Sequence, residues 1–139
     1  MHQPGETGYC IHVNWIAALI AGGLTMGVLD ELWLGVVARK LYENEIGELM
    51  RPKPNVAAAA VFYVVYVVGV VALVVDRYDG IGTAALAGAA VGFLAYATYD
   101  LTSMATIEGF TWKITAIDLA WGTALTAAVA TAGEWASTI

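Results

Sequence analysis

The sequence predicts an all-α, polytopic membrane protein: four transmembrane helices in a bundle, forming one domain over residues 1–139. Three observations carry this. The chain is 60% hydrophobic and only 13% charged, whereas a soluble domain carries about 25% charged residues; there is too little charge to clothe a water-facing surface. Uncharged apolar stretches of near-membrane length recur, and a helix of about 20 residues at 1.5 Å per residue crosses the roughly 30 Å hydrocarbon core. The connections between these stretches are short, and the longest is the most charged.

The helices are expected at about 11–38, 56–75, 81–103 and 112–133. The first stretch, Ile11 to Leu29, holds no Asp, Glu, Lys or Arg, and includes Gly23 and Gly27 at the four-residue spacing that lets backbones approach in lipid. Its helix stops near Leu29 or runs on toward Lys40. Val56 to Val75 is uncharged and contains ten valines. A strand of that length would be far outside the usual range, and in lipid a helix satisfies its own backbone. Asn55 is its N-cap, with Pro52 and Pro54 before it. Ile81 to Tyr99 carries Ala84, Gly88 and Gly92, a small-residue face suited to close helix contact. The last helix, between Lys113 and Glu134, has one charge, Asp118.

In the longest connection, Arg39 to Asn55, the residues Leu41, Tyr42, Ile46, Leu49 and Met50 fall on one side of a helical wheel, the pattern of an interfacial helix. Arg39, Lys40, Arg51, Lys53 and Lys113 lie in the first and third connections, and only Arg77 in the second. The positive-inside rule then places both termini outside, with Cys10 there.

Composition excludes several classes. A net charge of −6 is wrong for nucleic acid and for a polybasic lipid anchor. The single cysteine, Cys10, forms no intrachain disulfide and no cysteine-based metal site. His2 and His12 both stand near the start, so a haem held between two helices is not expected. Residues 1–10 lack the Lys or Arg of a signal-peptide leader. There is no P-loop, H-E-x-x-H or G-x-S-x-G motif.

Ionisable residues at membrane depth mark candidate sites. Asp30, Asp100 and Asp118 all fall in the cytoplasmic half under the expected topology; Glu31, about 100° round the helix from Asp30, does not join them. Trp33 follows Asp30 by three residues and Trp121 follows Asp118 by three, so each pair shares a face. Tyr96, Tyr99 and Asp100 share another, Tyr63 and Tyr66 lie at similar depth, and Thr102 adds a hydroxyl. The candidate set is Asp30, Asp100, Asp118, Tyr99, Thr102, Trp33, Trp121, Tyr63 and Tyr66. No Lys or Arg belongs to these helix cores. The cluster is satisfied by a shared proton, by a bound cation, or by water and headgroups at the interface; Asp118 also suits the first turn of a helix. Trp112 and Trp135 read as an aromatic belt.

The strings Asp30-Glu31-Leu32-Trp33-Leu34-Gly35, Phe62-Tyr63 with Tyr66 and Gly69, Tyr96-Ala97-Thr98-Tyr99-Asp100-Leu101-Thr102 and Asp118-Leu119-Ala120-Trp121-Gly122 resemble those of a bacterial membrane-protein family, domain of unknown function 2177. The family pattern has Asn where this chain has Ser103. The resemblance implies four helices in a bacterial inner membrane and no assigned activity. The leading functional reading is a non-catalytic subunit or assembly protein whose small-residue faces dock a membrane partner or a second copy. The alternatives are a proton- or cation-linked transport protein using the aspartates, and a membrane enzyme acting on lipid or isoprenoid. No cofactor is implied, and the metal, if one binds, is not identified. The expected surroundings are the lipid bilayer of the inner membrane, crossed several times.

Overall fold

The computed structural model describes residues 14–47 and 55–138. The readings made on His2, Cys10, His12, the leader segment, Leu49, Met50, Arg51, Pro52, Lys53 and Pro54 lie outside these residues. Among the described residues there are five α-helices and no strand: α1 (Trp15–Leu32), α2 (Ala38–Ile46), α3 (Val56–Val70), α4 (Ile81–Thr106) and α5 (Trp112–Ser137). A π-helical segment, Trp33–Val37, joins α1 to α2, and another, Val71–Val75, extends α3. Four helical stretches are long and apolar enough to cross a bilayer: Trp15–Gly35, Val56–Val75, Ile81–Thr106 and Trp112–Ser137. The chain is an all-α polytopic membrane protein.

Each start has a local cause. Asn14 and Asn55 cap α1 and α3, their side chains accepting from Ala17 N at 3.0 Å and Ala58 N at 3.1 Å. Thr111 caps α5 through Ile114 N at 3.2 Å. Gly80 enters α4 with φ of +95°, a conformation that disfavours side chains. Lipid-facing threonines bond back to their own helix: Thr98 donates to Leu94 O at 2.7 Å and Thr106 to Thr102 O at 2.8 Å. No hydroxyl there needs water, which suits a hydrocarbon surround.

The centre of the bundle is α5, which has the most extensive buried face and packs against α4 and α1. The α4–α5 contact runs through the small-residue face. A Cβ on Gly88 would lie 2.7 Å from Ala130 Cβ and 2.9 Å from Thr126 O; one on Gly92 would overlap the Gly122 carbonyl. One on Gly122 would overlap the Tyr96 ring. The apolar core is Met26, Val67, Val70, Val74, Ala84, Leu125, Val129 and Ala130. At one end Trp15 Nε1 donates to Asp76 at 3.3 Å, and Asn14 N to Ser137 O at 3.1 Å.

Three expectations are corrected. Helix one does not stop near Leu29; helical structure passes through the π segment and continues to Ile46, beyond the first span, which ends at Gly35, so Leu41 and Tyr42 stand on α2. The buried stripe of α1 is Ala18, Gly22, Met26 and Asp30. Gly23 and Gly27 therefore face away, and a Cβ on either would meet nothing within 4 Å. Val56–Val75 keeps its expected bounds, while the last two helices run on to Thr106 and Ser137.

Candidate functional site

A cavity of about 550 Å³ opens among α1, α2, α3, α4 and α5 at the end of the bundle opposite the Trp15–Asp76 contact. Asp30, Asp100 and Asp118 all line it, from three different helices. So do Trp33, Trp121, Tyr63, Tyr66 and Tyr99. Thr102 does not: it is exposed, and its hydroxyl donates to the carbonyls of Thr98 and Tyr99 in its own helix. Glu31 is exposed outside it.

The three carboxyls differ in their partners. Asp30 is buried at the foot of α1 and bonded on both oxygens. Tyr63 Oη donates to Oδ2 at 2.5 Å and Trp121 Nε1 to Oδ1 at 3.3 Å, tying α1 to α3 and α5. Asp118 accepts from Tyr42 Oη at 2.7 Å, tying α2 to α5. Burial first, and then the Asp118 carboxyl, push the Tyr42 hydroxyl above its ordinary range, so it stays a donor. A hydrogen bond to a charged group contributes about 1.5–3 kcal/mol, so these bonds hold the site's walls as well as its charges.

Asp100 has 0% of its surface exposed, and neither oxygen has a hydrogen-bond donor. The group facing it is the Asp118 carboxyl. A buried polar group without a partner is the exception in a folded protein. The Trp33 indole N–H is a second buried polar group at this site without a partner among the described residues.

Aromatic rings form most of the remaining wall. Trp33 and Trp121 stack in parallel, 4.5 Å between centroids and 4° between planes. Tyr66 meets Tyr96 edge-on at 6.4 Å, and its hydroxyl lies 2.6 Å from Thr126 Oγ1. Tyr99 meets Phe110 edge-on at 6.1 Å. Glycine at 122 makes room for the Tyr96 ring against α5. Among the described residues no Lys or Arg lines the cavity. Among the described residues no three His, Cys, Asp or Glu side chains are placed to share a metal ion. The cavity is thus an aromatic-walled, acidic space within the size range of small-molecule sites, roughly 300–1,000 Å³.

Sequence reasoning missed Tyr42, Phe62 and Phe110, and left Tyr96 outside the set although it shares a face with Asp100. The Phe62-Tyr63 string was visible, but its depth gave no reason to choose Phe62. Phe110 sits in the α4–α5 turn, where no periodicity points to it.

No curated protein and no solved structure matches the chain. A family model described as predicted membrane protein (DUF2177) matches residues 15–135, and the chain belongs to that family.

Proposed function

We propose that the protein is a cation-linked membrane protein whose cavity binds a small organic cation. One observation carries the reading: three carboxyls and nine aromatic side chains line one cavity where, among the described residues, there is no Lys or Arg. In a low-dielectric site such charges are poorly screened and favour a positive guest. Aromatic faces attract cations, most strongly when both are desolvated. A bare metal ion fits less well, because the carboxyls do not converge on one point and the space is far larger than an ion. The Ala84, Gly88 and Gly92 face is occupied by α5, so a docking role would fall to the open Gly23 and Gly27 face. The Lys and Arg distribution supports a cytoplasmic-membrane protein with both termini outside and the aspartate end toward the cytoplasm.

The test is tetramethylammonium binding to the purified chain, read by tryptophan fluorescence. Two of the five tryptophans, Trp33 and Trp121, line the cavity. Saturable quenching is expected, with affinity at least tenfold weaker in Asp100→Asn and absent for the uncharged isostere neopentane. Equal response to the charged and uncharged probes, or to wild type and Asp100→Asn, sinks the proposal.

A further inference from the structure

The cavity does not open equally on all sides. At the headgroup end α2 lies across it, held by Tyr42 on Asp118 and by Glu45, which accepts from Thr111 Oγ1 at 2.7 Å. Its side is different. α3 and α4 are packed near their shared turn, where Val74 and Ala84 enter one core cluster and Val71–Val75 touches α4. Away from the turn α3 leaves the bundle: every residue from 55 to 62 is exposed. There Ala59 and Phe62 of α3 and Tyr99 of α4 line the cavity and also face outward.

The depth of this opening decides what it meets. Phe62 stands six residues into its span, about 9 Å from the end, and Tyr99 seven residues from the end of α4, about 10 Å, at 1.5 Å per residue. Both depths fall within the roughly 30 Å hydrocarbon layer. The opening therefore faces acyl chains and not water.

We infer that the ligand is a cationic amphiphile, an apolar chain bearing an amine or quaternary ammonium head, which enters sideways from the bilayer between α3 and α4. The head reaches the carboxyls and the Trp33–Trp121 stack; the chain remains between the helices against Ala59 and Phe62, continuous with lipid. A water-borne ion would have to pass α2, whereas a molecule already dissolved in the membrane needs only lateral diffusion. This inference rests on the cation reading above and adds to it the tail and the route.

The experiment uses the full chain in nonionic micelles with two probes, tetramethylammonium and a dodecyltrimethylammonium that carries a diazirine in its tail. The amphiphile is expected to bind at least tenfold tighter than tetramethylammonium after correction for micelle partition. Its photolabel is expected on α3 and α4 near the opening, to be displaced by unlabelled amphiphile, and to be lost in Asp100→Asn. If tetramethylammonium quenches and depends on Asp100, but the amphiphile binds no tighter or labels α1 or α5 instead, the amphiphile inference falls and the cation reading stands. If neither probe binds in an Asp100-dependent way, both fall. Tail labelling of α3 and α4 that persists unchanged in Asp100→Asn also overturns the inference, because it reports ordinary lipid contact.

Discussion

Gly88 gives the sharpest test of how the bundle is held. Replacing it with alanine adds one carbon that would stand 2.7 Å from Ala130 Cβ, 2.9 Å from Thr126 O and 3.3 Å from Ala127 Cα. Ordinary contact begins near 3.4 Å, so α4 and α5 must part by about 0.7 Å at this point. Part of the obstacle is backbone, which no rotamer change relieves. Overpacking of this kind costs about 1–3 kcal/mol. Against it stands the helix preference for alanine over glycine, about 1 kcal/mol. The net expectation is a loss of up to about 2 kcal/mol.

Gly27 supplies the matched control. Its added carbon would meet nothing within 4 Å, so Gly27→Ala keeps only the propensity gain and is expected to be neutral or stabilising by up to about 1 kcal/mol. The two variants make the same chemical change in two helices of the same protein. Unfolding in mixed SDS micelles, followed by circular dichroism, measures both. The propensity gain is common to both, so the expected gap between them is the overpacking cost, about 1–3 kcal/mol. Equal midpoints for the two variants would refute the packing argument, since propensity alone would then account for both.

Three further outcomes follow from the site. Tyr42→Phe removes the donor to Asp118 and is expected to lower stability by about 1.5–3 kcal/mol; a proteolysis assay should find cleavage around α2 accelerated, and an unchanged rate would mean that this hydrogen bond does not hold α2. Asp100→Asn removes a fully buried carboxyl that lacks a donor and offers the Asp118 carboxyl an amide N–H, so the empty protein is expected to melt higher while cation binding weakens; a lower melting point would argue that Asp100 is a structural hub. A membrane-impermeant maleimide is expected to label Cys10 in intact cells, and labelling only after permeabilisation would reverse the proposed orientation.

The number and placement of the spans were legible in the sequence because lipid imposes simple rules. Length, absence of charge and backbone self-satisfaction together leave a helix as the only element for Val56–Val75. The Ala84, Gly88 and Gly92 face was legible for the same reason: small residues at four-residue spacing have one physical use in a bundle, and α5 meets them. Gly23 and Gly27 display the identical pattern, and a Cβ on either meets nothing within 4 Å among the described residues. Spacing states what a face permits, not which neighbour reaches it. The stripe that does pack in α1 is offset by one position, Gly22 and Met26, and an Ala- and Gly-rich segment has too little contrast between its faces to reveal that offset.

Tyr42 is the instructive omission. At about 100° per residue an unbroken helix would turn Tyr42 roughly 120° away from Asp30, so a wheel drawn from the sequence puts the two on different faces. The π-helical segment Trp33–Val37 lies between them. Bonding to the fifth residue instead of the fourth inserts one residue and sets the following helix back by about 100°. That leaves Tyr42 within about 20° of Asp30, and both line the same cavity. No local sequence signal for a π segment is strong enough to read in advance, because Trp33-Leu34-Gly35 is also an acceptable stretch of α-helix. What fixes it is tertiary: Trp33 stacks on Trp121 while Tyr42 reaches Asp118, and both contacts to α5 can be kept only if the helix absorbs an extra residue between them. Such segments recur at functional sites, and here the segment does two things at once. It delivers a ring to the cavity wall and it lays α2 across the cavity's headgroup end. The side opening comes from the divergence of α3 from α4; it is the closure of the other end that depends on a single inserted residue in the first span.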